Sequence, residues 1–513
     1  MNGKLTPEEK ARIREEKLRR EAREREADFA EVEQLLGKDA ADALRDHYAL
    51  FDDRYYRWLA SLFDPKIGGF YYSKSAQNTD GYLPDLESTK QALAFFSNSG
   101  MTRNYETIYD AYPEWMRERI INFVKPMQCP EDGYFYHPQW GKKISSSRQG
   151  RDLGWATSTL KDFRDKPKWD TPNGHKGEFG PPPERAGAAE QGAAQSAAQG
   201  AAVYPERLRT VADFRKYLVC ELNGNEDPSD LTPNLIRTKS YPIGNGMNAT
   251  TGQIKQRERL GIETGELIDS DGDGIADNGF IATFCEVYGA WQLPYNGLWE
   301  PCHSVDADGN IVEDEGGEPH YNAINGLMKL STSYNALGVK MPYAKQALQS
   351  AIKMAAFLGE HEDGRPGPDV MGKRPNGSVD VYNPWVAVQA IFTNLDKFYT
   401  KEERLELQQT LKENAAAMIR TTTKKSVSFA KEDGSYGYTW QYSPARSQNA
   451  PVAVPETVEG DINGGCIAVS GITRNMCMGL GVKNIPIFRD SDFDAVLDIF
   501  EQLREDCENG AKA

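Results

Sequence analysis

Acidic residues stand close together where three helices are expected to begin, at Asp85 and Glu87, at Asp152, and at Glu459 and Asp461. Two carboxyl groups that face each other can act as proton donor and as base or nucleophile, which is the chemistry of glycoside hydrolysis. An acidic residue at a helix start can also be an ordinary N-cap that accepts a backbone hydrogen bond. We expect Asp461, paired with Glu459 or Asp152, to supply the acid and the base, because a helix N-terminus favours the ionised form of Asp461.

Aromatic and basic side chains beside these acids are typical of a sugar-binding site. Aromatic faces stack on sugar rings, although large hydrophobic cores use the same residues. Arg151 directly precedes Asp152, and a loop rich in Tyr and Trp precedes Asp461. The residues expected to bind substrate are Arg151, Trp155, Trp299, His303, Trp385, Tyr436 and Trp440.

The acidic segment 269–277 has the spacing of a calcium-binding loop. Its oxygen ligands alternate along the loop, and a central glycine permits the sharp turn that such loops need. Phe280 stands where a bidentate Glu is expected, so the spacing resembles dockerin-like and thrombospondin-like loops instead. A solvated acidic turn without metal is the alternative. The expected ligands of a structural Ca²⁺ are Asp269, Asp271, Asp273, the backbone carbonyl of Ile275, and Asp277.

The elements that must position these residues follow a repeated pattern. A glycine–aromatic cluster recurs at 68–72, 132–136 and 433–438. Amphipathic helices are predicted before the latter two clusters, at 114–124 and 401–419. After each cluster come a polar residue and a helix of small and apolar residues. The helix starts with Asp or Asn near the N-cap are predicted at Asp85, Asp152, Asn322, Asn383 and Asp461.

Helical hairpins that repeat in this way must stack or close on themselves to bury their apolar faces. Paired helices with glycine–aromatic turns before small-residue helices resemble the α/α-toroid folds, over about residues 50–165 and 280–505. These folds include six-hairpin glycosidases, polysaccharide lyases, terpenoid cyclases and protein prenyltransferases. The resemblance implies an all-α, (α/α)6-type toroid whose inner helix N-termini surround a funnel. The Asp and Asn residues of the helix starts would then face one cavity.

Composition divides the chain into segments. Glu and Arg alternate after Thr6 and Pro7, which predicts a capped and solvated N-terminal helix. The stretch 186–202 is rich in Ala, Gly and Gln and is predicted to be a flexible linker, while 228–279 is polar and predicted to be a loop. The predicted segments are a charged helix at 1–45, the first part of the toroid at 46–170, an insertion at 171–279, and the second part of the toroid at 280–513.

Several classes of protein are excluded by charge and hydropathy. The net charge of −16, without a dense basic stripe, disfavours nucleic-acid binding. No apolar run is long enough to span a membrane. The seven cysteines contain no CxxC pair, which disfavours a disulfide framework or a structural zinc site. The charged N-terminal region predicts a cytoplasmic protein without a signal peptide, with a trimmed secreted form as the alternative.

The leading hypothesis is therefore an enzyme that cleaves glycosidic bonds in oligo- or polysaccharides, by hydrolysis or by elimination. The first alternative is an enzyme similar to terpenoid cyclases or prenyltransferases, which would need an apolar cavity. The second is a non-catalytic helical-repeat binding protein, in which the acidic residues would be helix caps only. Carbohydrate is the expected partner.

Calcium binding can be tested with the metal alone. Chelator-treated protein is expected to bind one Ca²⁺ in a calorimetric titration, because closely spaced carboxylates repel one another without a cation. Asp271→Ala should weaken this binding, and Asp80→Ala, outside the loop, should leave it unchanged. A melting temperature that does not respond to calcium would contradict a structural role for the metal.

Overall fold

The protein is described here by a computed structural model that covers residues 7–183, 206–233, 236–260, 267–270, 277–308, 310–317, 319–356 and 377–510. This part of the chain is mostly helical, which confirms the predicted all-α class. None of its helices is both long enough and apolar enough to cross a membrane. Its strands form three small antiparallel pairs, β1 (Phe63–Asp64) with β2 (Gly69–Phe70), β3 (His303–Val305) with β4 (Ile311–Glu313), and β5 (Arg446–Ser447) with β6 (Ala450–Pro451).

The helices follow one another with short connections. Those before residue 183 are α1 (Pro7–Leu36), α2 (Lys38–Tyr48), α3 (Asp53–Ala60), α4 (Lys74–Gln77), α5 (Leu86–Asn98), α6 (Ile108–Ala111), α7 (Glu114–Val124) and α8 (Ser146–Asp162). Those after residue 206 are α9 (Val211–Lys216), α10 (Ile236–Leu260), α11 (Gly279–Trp291), α12 (Tyr321–Leu337), α13 (Ala344–Ala356), α14 (Ser378–Phe398), α15 (Lys401–Val427), α16 (Ile462–Gly465), α17 (Ile472–Gly479) and α18 (Asp490–Gly510). Short 3₁₀ turns occupy Lys125–Met127 and Glu206–Leu208, and π-helical turns occupy Tyr217–Leu222 and Cys466–Gly471.

An inner layer of helices packs side by side. α5 contacts α8 on one side and α16, with its following π-helical turn, on the other. Continuing along the layer, α17 contacts α14, α14 contacts α12, and α12 contacts α10. Small residues permit this close packing: a Cβ added at Gly326 of α12 would lie 2.1 Å from Ser240 Oγ of α10. The helices α8, α5, α16, α17, α14, α12 and α10 therefore form one continuous series of neighbours.

The remaining helices pack outside this layer. α2 contacts α15, α15 contacts α13, and α11 contacts both α9 and α10. The N-terminal helix α1 lies against α2 and α18. Its Phe29 and Val32 are buried in the core, so the prediction of a solvated surface helix is wrong for that face. Pro7 begins the helix as predicted, whereas Thr6 lies outside the described residues.

Three local predictions from the sequence are wrong. The segment 228–279 contains the long helix α10, which packs against α12 and is not a loop. Asp152 lies in the middle of α8, because Ser145 is the N-cap of that helix. Asn383 lies in the second turn of α14, behind the N-cap Gly377. The predicted linker 186–202 lies outside the described residues.

The recurring glycine–aromatic clusters are tight turns that depend on glycine. Gly133 and Gly434 have φ angles of 78° and 84°, in the left-handed region that other residues adopt at a cost. The preceding Asp132 and Asp433 each accept a hydrogen bond from the backbone N–H two residues further on. The repeat seen in the sequence is therefore one type of turn, used before α8 and again before α16.

Lys425 is a buried cation of α15, with 2% of its surface exposed. Its Nζ donates a hydrogen bond to the Met354 carbonyl at 3.1 Å and lies 5.5 Å from the centre of the Tyr321 ring. None of the described carboxylates forms an ion pair with it. Burial lowers the pKa of Lys425 to about 7. The folded protein therefore binds fewer protons than the unfolded chain between pH 7 and the ordinary lysine range, so stability rises with pH in that interval.

We expect Lys425→Met to raise the free energy of unfolding by roughly 1–3 kcal/mol near pH 7, because it removes a desolvated amine. The gain should shrink as the pH approaches 10, where the lysine of the unfolded chain also loses its proton. Urea denaturation at several pH values measures both effects, and Lys424→Met, at an exposed neighbouring position, is the matched control. A loss of stability at pH 7 would contradict this expectation.

Candidate functional site

A fully buried arginine holds together the starts of α5 and α8. Arg148 has 0% of its surface exposed and binds three carboxylates. Its Nη2 donates to Asp85 Oδ1 at 3.0 Å, its Nη1 to Glu87 Oε2 at 2.9 Å, and its Nε to Asp152 Oδ1 at 2.9 Å. Asp85 is also the N-cap of α5 and accepts the backbone N–H groups of Glu87 and Ser88. We call Arg148, Asp85, Glu87 and Asp152 the buried charge cluster.

The electrostatics of the buried charge cluster follow from its burial. Burial opposes the charge of Arg148, but the surrounding carboxylates outweigh it and raise the pKa of the guanidinium. Burial raises the pKa of Asp152 to about 7, against the lowering effect of Arg148. Burial also raises the pKa of Glu87, which Arg151 and Arg148 oppose. Glu87 and Asp152 therefore ionise less readily than free carboxylates.

Arg151 connects this cluster to solvent. Its Nη2 donates to Glu87 Oε1 at 2.8 Å, and its guanidinium carbon lies 4.7 Å from the centre of the Trp155 ring. The Arg151 side chain is 40% exposed, whereas Glu87 is buried. The buried carboxylate therefore holds one edge of an exposed guanidinium, and the rest of the group faces outward.

Other helices of the inner layer place side chains opposite Arg151. The positive charge of Arg151 lowers the pKa values of Tyr241 on α10 and Tyr438 before α16, although burial raises both overall. Burial and the charge of Arg151 together lower the pKa of Lys329 on α12. Arg151 therefore acts electrostatically on side chains of α10, α12 and the segment before α16. We refer to the group formed by Arg151, Tyr241, Lys329 and Tyr438 as the central opening.

Two acidic residues act on Tyr438, one through a hydrogen bond and one through its charge. Asp461 is the N-cap of α16, and its carboxylate accepts the backbone N–H groups of Gly464 at 2.8 Å and Tyr438 at 2.7 Å. Burial raises the pKa of Asp461 to about 6, while these hydrogen bonds lower it. Asp380 in the first turn of α14 accepts Asn325 Nδ2 at 2.8 Å, and its charge raises the pKa values of Tyr438 and Tyr241. Asp380 therefore lies near both phenols.

The carboxylates predicted to act as acid and base, Asp461, Asp152 and Glu459, are buried and bonded to other protein groups. Asp461 and Asp152 each have 0% of their surface exposed and belong to different hydrogen-bond groups. Glu459 accepts the backbone N–H and the hydroxyl of Ser75. Because these carboxylates are enclosed and bonded to protein groups, the geometry does not favour Asp461 with Asp152 or Glu459 as the reacting pair. Asp85 and Asp461 are helix caps, which was the alternative interpretation of both.

The residues predicted to bind substrate are divided between the opening and the core. Arg151 borders the central opening and Trp155 lies beneath its guanidinium, but Trp299, Trp385 and Tyr436 are buried in the core. Their polar atoms bond within the protein: Trp299 Nε1 to the Tyr288 carbonyl, Trp385 Nε1 to Thr422 Oγ1, and the Tyr436 hydroxyl to the Leu50 carbonyl. Those three predictions of a sugar platform are therefore wrong, because an aromatic residue enclosed by protein cannot stack on a sugar.

The remaining predicted binding residues lie elsewhere. His303 is in β3, where its ring lies 5.3 Å from that of His320. Nε2 of His320 is 3.1 Å from Glu300 Oε2, and Glu300 also accepts the Ser240 backbone N–H. Trp440 is half-buried, and its backbone carbonyl accepts Lys431 Nζ at 2.8 Å. His303 thus belongs to a separate polar group at the start of α12.

The predicted calcium loop is described only at its ends. Asp271, Asp273 and Ile275 lie outside the described residues. Asp277 accepts the Ser270 backbone N–H at 2.8 Å, and Asp269, which precedes Ser270 in the sequence, is exposed. Within the described ranges, no group of three or more His, Cys, Asp or Glu side chains could hold a metal ion. Calcium binding at 269–277 stays a prediction.

A hairpin closes over the buried charge cluster. Ser447 of β5 donates its hydroxyl to Glu87 Oε2, and Ser145 Oγ donates to the Gln448 carbonyl at 3.0 Å. Gln139 Nε2 adds a bond of 3.0 Å to the Pro451 carbonyl at the other end of the hairpin. The hairpin therefore excludes solvent from Glu87.

Sequence reasoning missed the residues that complete the site. Arg148 stands four residues before Asp152, which is the spacing of a helical ion pair and could have indicated the pairing. Tyr241, Lys329 and Ser447 carry no local signal of this kind, since they reach the site only through the packing of distant segments.

Comparisons with known proteins give no relative. No family model, no curated protein and no solved structure matches this chain. The function of the central opening must therefore be inferred from its own chemistry.

Arg148→Met is expected to lower the free energy of unfolding at pH 8 by about 3–5 kcal/mol, because three buried carboxylates would lose their counter-charge. Arg151→Met, which removes a half-exposed partner of Glu87, should cost about 1 kcal/mol or less. The loss in Arg148→Met should be smaller at pH 4, where the carboxyl groups bind protons. Urea denaturation of both variants measures this difference, and equal losses would show that Arg148 has no special structural role.

Proposed function

We propose that this protein cleaves glycosidic bonds in an oligo- or polysaccharide at the central opening. Arg151 carries this proposal, because it offers hydrogen-bond donors to a ligand while Glu87 and Trp155 hold it in place. Guanidinium and phenol groups bind sugar hydroxyls, and aromatic faces stack on sugar rings. Tyr241, 38% exposed, presents such a face beside Arg151.

We infer that the inner layer closes into an (α/α)6-type toroid. Contacts run from α8 through α5, α16, α17, α14 and α12 to α10. Arg151 on α8 and Tyr241 on α10 act on each other electrostatically across the two ends of this series. A closed ring would bring the starts of these helices around the central opening, as the resemblance to α/α-toroid folds implies.

The reacting groups would be those that border the opening. Burial and the charge of Asp380 raise the pKa of Tyr438, which keeps its phenol protonated at neutral pH. We therefore assign proton donation to Tyr438, and the enclosed Asp380, whose charge acts on both phenols, would keep Tyr438 in its protonated form. Arg151 would hold the sugar, and the enclosed Asp461 would position Tyr438 through its backbone N–H.

The two alternative functions differ in what favours them. An enzyme similar to terpenoid cyclases needs an apolar cavity, and the Arg, Lys and Tyr side chains at the opening argue against it. A non-catalytic helical-repeat binding protein is favoured by one observation: Asp85 and Asp461 both serve as helix caps. In that case the opening would bind a sugar without cleaving it.

Incubation with a panel of oligosaccharides, read by mass spectrometry for shortened or unsaturated products, tests the proposal. Tyr438→Phe is expected to lower kcat by roughly 10²–10⁴-fold with little change in KM, because a proton donor acts in the transition state. Tyr442→Phe, at an exposed site in the same loop, is the matched control and should retain full activity. Binding of a sugar without cleavage by the wild-type protein would favour the binding function instead.

A further inference from the structure

Residues 443–457 form one closed loop that contains the hairpin of β5 and β6. The backbone N–H of Ser443 donates to the Thr457 carbonyl at 3.0 Å, which joins the two ends of the loop. Within the described part of the chain, its backbone–backbone hydrogen bonds stay inside it, for example from Val452 to the Ala445 carbonyl at 2.9 Å. This is the organisation of an Ω-loop, a compact segment whose ends lie together. We call residues 443–457 the covering loop.

The covering loop holds three non-glycine residues in the left-handed backbone region. The φ angle is 49° at Gln448 and 71° at Asn449, which form the turn of the hairpin, and 58° at Glu456 near the end of the loop. Only one other non-glycine residue of the described ranges, Arg164, has a positive φ. Such strain is found at ligand clamps and switch regions and persists only where surrounding contacts hold it. The closed conformation of the loop therefore depends on the contacts that hold it.

Single hydrogen bonds from separate segments hold the covering loop. The Tyr82 hydroxyl donates to the Ala453 carbonyl at 3.0 Å, and the Ser147 hydroxyl donates to Gln448 Oε1 at 2.9 Å. The other bonds join Ser75 to the Val454 N–H, Gln139 to the Pro451 carbonyl, Ser145 to the Gln448 carbonyl, and Ser447 to Glu87. Ser147 is exposed and Tyr82 is half-buried, so water can replace either bond at low cost.

The apolar packing of the covering loop is small. Its buried apolar residues are Ala450, Val452 and Ala453. Val452 and Ala453 form a cluster with Tyr72 that is separate from the main core, and Trp140 packs against this cluster. Segments with few buried apolar contacts open at a lower free energy than core helices. The loop is therefore expected to open while α5 and α8 stay folded.

The buried charge cluster lies under this loop. Ser447 donates its hydroxyl to Glu87 Oε2. The ring of Trp140 lies 4.9 Å from the guanidinium carbon of Arg148, so Trp140 separates the loop from the arginine. Its Nε1 is buried without a hydrogen-bond partner among the described residues, and the same is true of Asp152 Oδ2. The enclosed region thus contains a donor and an acceptor that the closed protein leaves unused.

We propose that the covering loop is a lid that opens about its joined ends and uncovers Glu87 and Trp140. Tyr442 and Val458, which flank these ends, are 42% and 70% exposed, so the ends turn in solvent. Glu87 also binds Arg151, so the lid covers the residue that holds the guanidinium of the proposed site. The motion of the lid does not depend on whether the protein cleaves sugars.

Native-state hydrogen exchange, read by mass spectrometry with fragmentation, tests whether the loop opens as a unit. The amides of Ser443, Val452 and Val454 are expected to exchange together, about 100-fold or more faster than the amides of α5. If they exchange as slowly as α5, the lid is overturned, because the loop would then open only with global unfolding. Exchange of the three amides at unrelated rates would also overturn it.

Variants that each remove one bond test what holds the lid closed. Tyr82→Phe and Ser147→Ala should speed exchange of the loop amides by about 2–10-fold and leave α5 unchanged. Tyr442→Phe and Ser146→Ala are the matched controls, because their hydroxyls form no hydrogen bond with a described residue. Both controls should exchange as wild type, and acceleration equal to that of the test variants would contradict the assigned bonds.

Carboxyl labelling with a carbodiimide and glycine ethyl ester measures the uncovering of Glu87. Its labelling rate in Tyr82→Phe should rise by the same factor as the exchange of the loop amides. The enclosed Asp461, which is bonded outside the covering loop, should be labelled at a constant rate. Faster loop exchange without faster labelling of Glu87 would overturn the lid, because the motion would then leave the charge cluster covered.

Discussion

Burial of Arg148 against three carboxylates is the constraint on which the rest of the site depends. A buried charge is costly unless partners surround it with good geometry, and the packing of α5 against α8 brings all four groups together. Glu87 carries this constraint from the buried Arg148 to residues nearer the surface. Glu87 binds Arg148 on one side, and it holds Arg151 and the hairpin residue Ser447 on the other. The position of the exposed guanidinium is thus set from within the protein.

The acidic residues and the groups that face a ligand have different tasks. Enclosed carboxylates such as Asp152 and Asp461 bind other protein groups and position the opening. The side chains that border the opening are cations and phenols, namely Arg151, Lys329, Tyr241 and Tyr438. Interactions between charged groups are stronger in the protein interior than in water, so a site of this kind encloses its carboxylates and leaves the hydrogen-bond donors at its border available to a ligand.

Much of the helical framework could be predicted from the sequence, and the reasons for the failures are physical. The helix Glu114–Val124 and the capping roles of Asp85 and Asp461 follow from periodicity and cap chemistry, which are local. The helix Ile236–Leu260 was predicted as a loop because its Gly, Asn and Pro242 are weak helix formers, and packing against α12 overrides that weakness. Asp152 was placed at a helix start because α8 begins with serines and contains glycines. Local patterns also cannot separate a buried tryptophan such as Trp385 from an exposed one, since burial depends on the whole fold.

A double-mutant cycle between Arg148 and Glu87 tests the central claim most directly. The free energy of unfolding would be measured for the wild type, Arg148→Met, Glu87→Gln and the double variant under the same conditions. If the two charges stabilise each other across α5 and α8, the double variant loses less stability than the sum of the single losses, by about 1–3 kcal/mol. Additive losses would contradict the claim, because they would mean that Arg148 and Glu87 contribute independently and that no mutual charge constraint sets the position of Arg151.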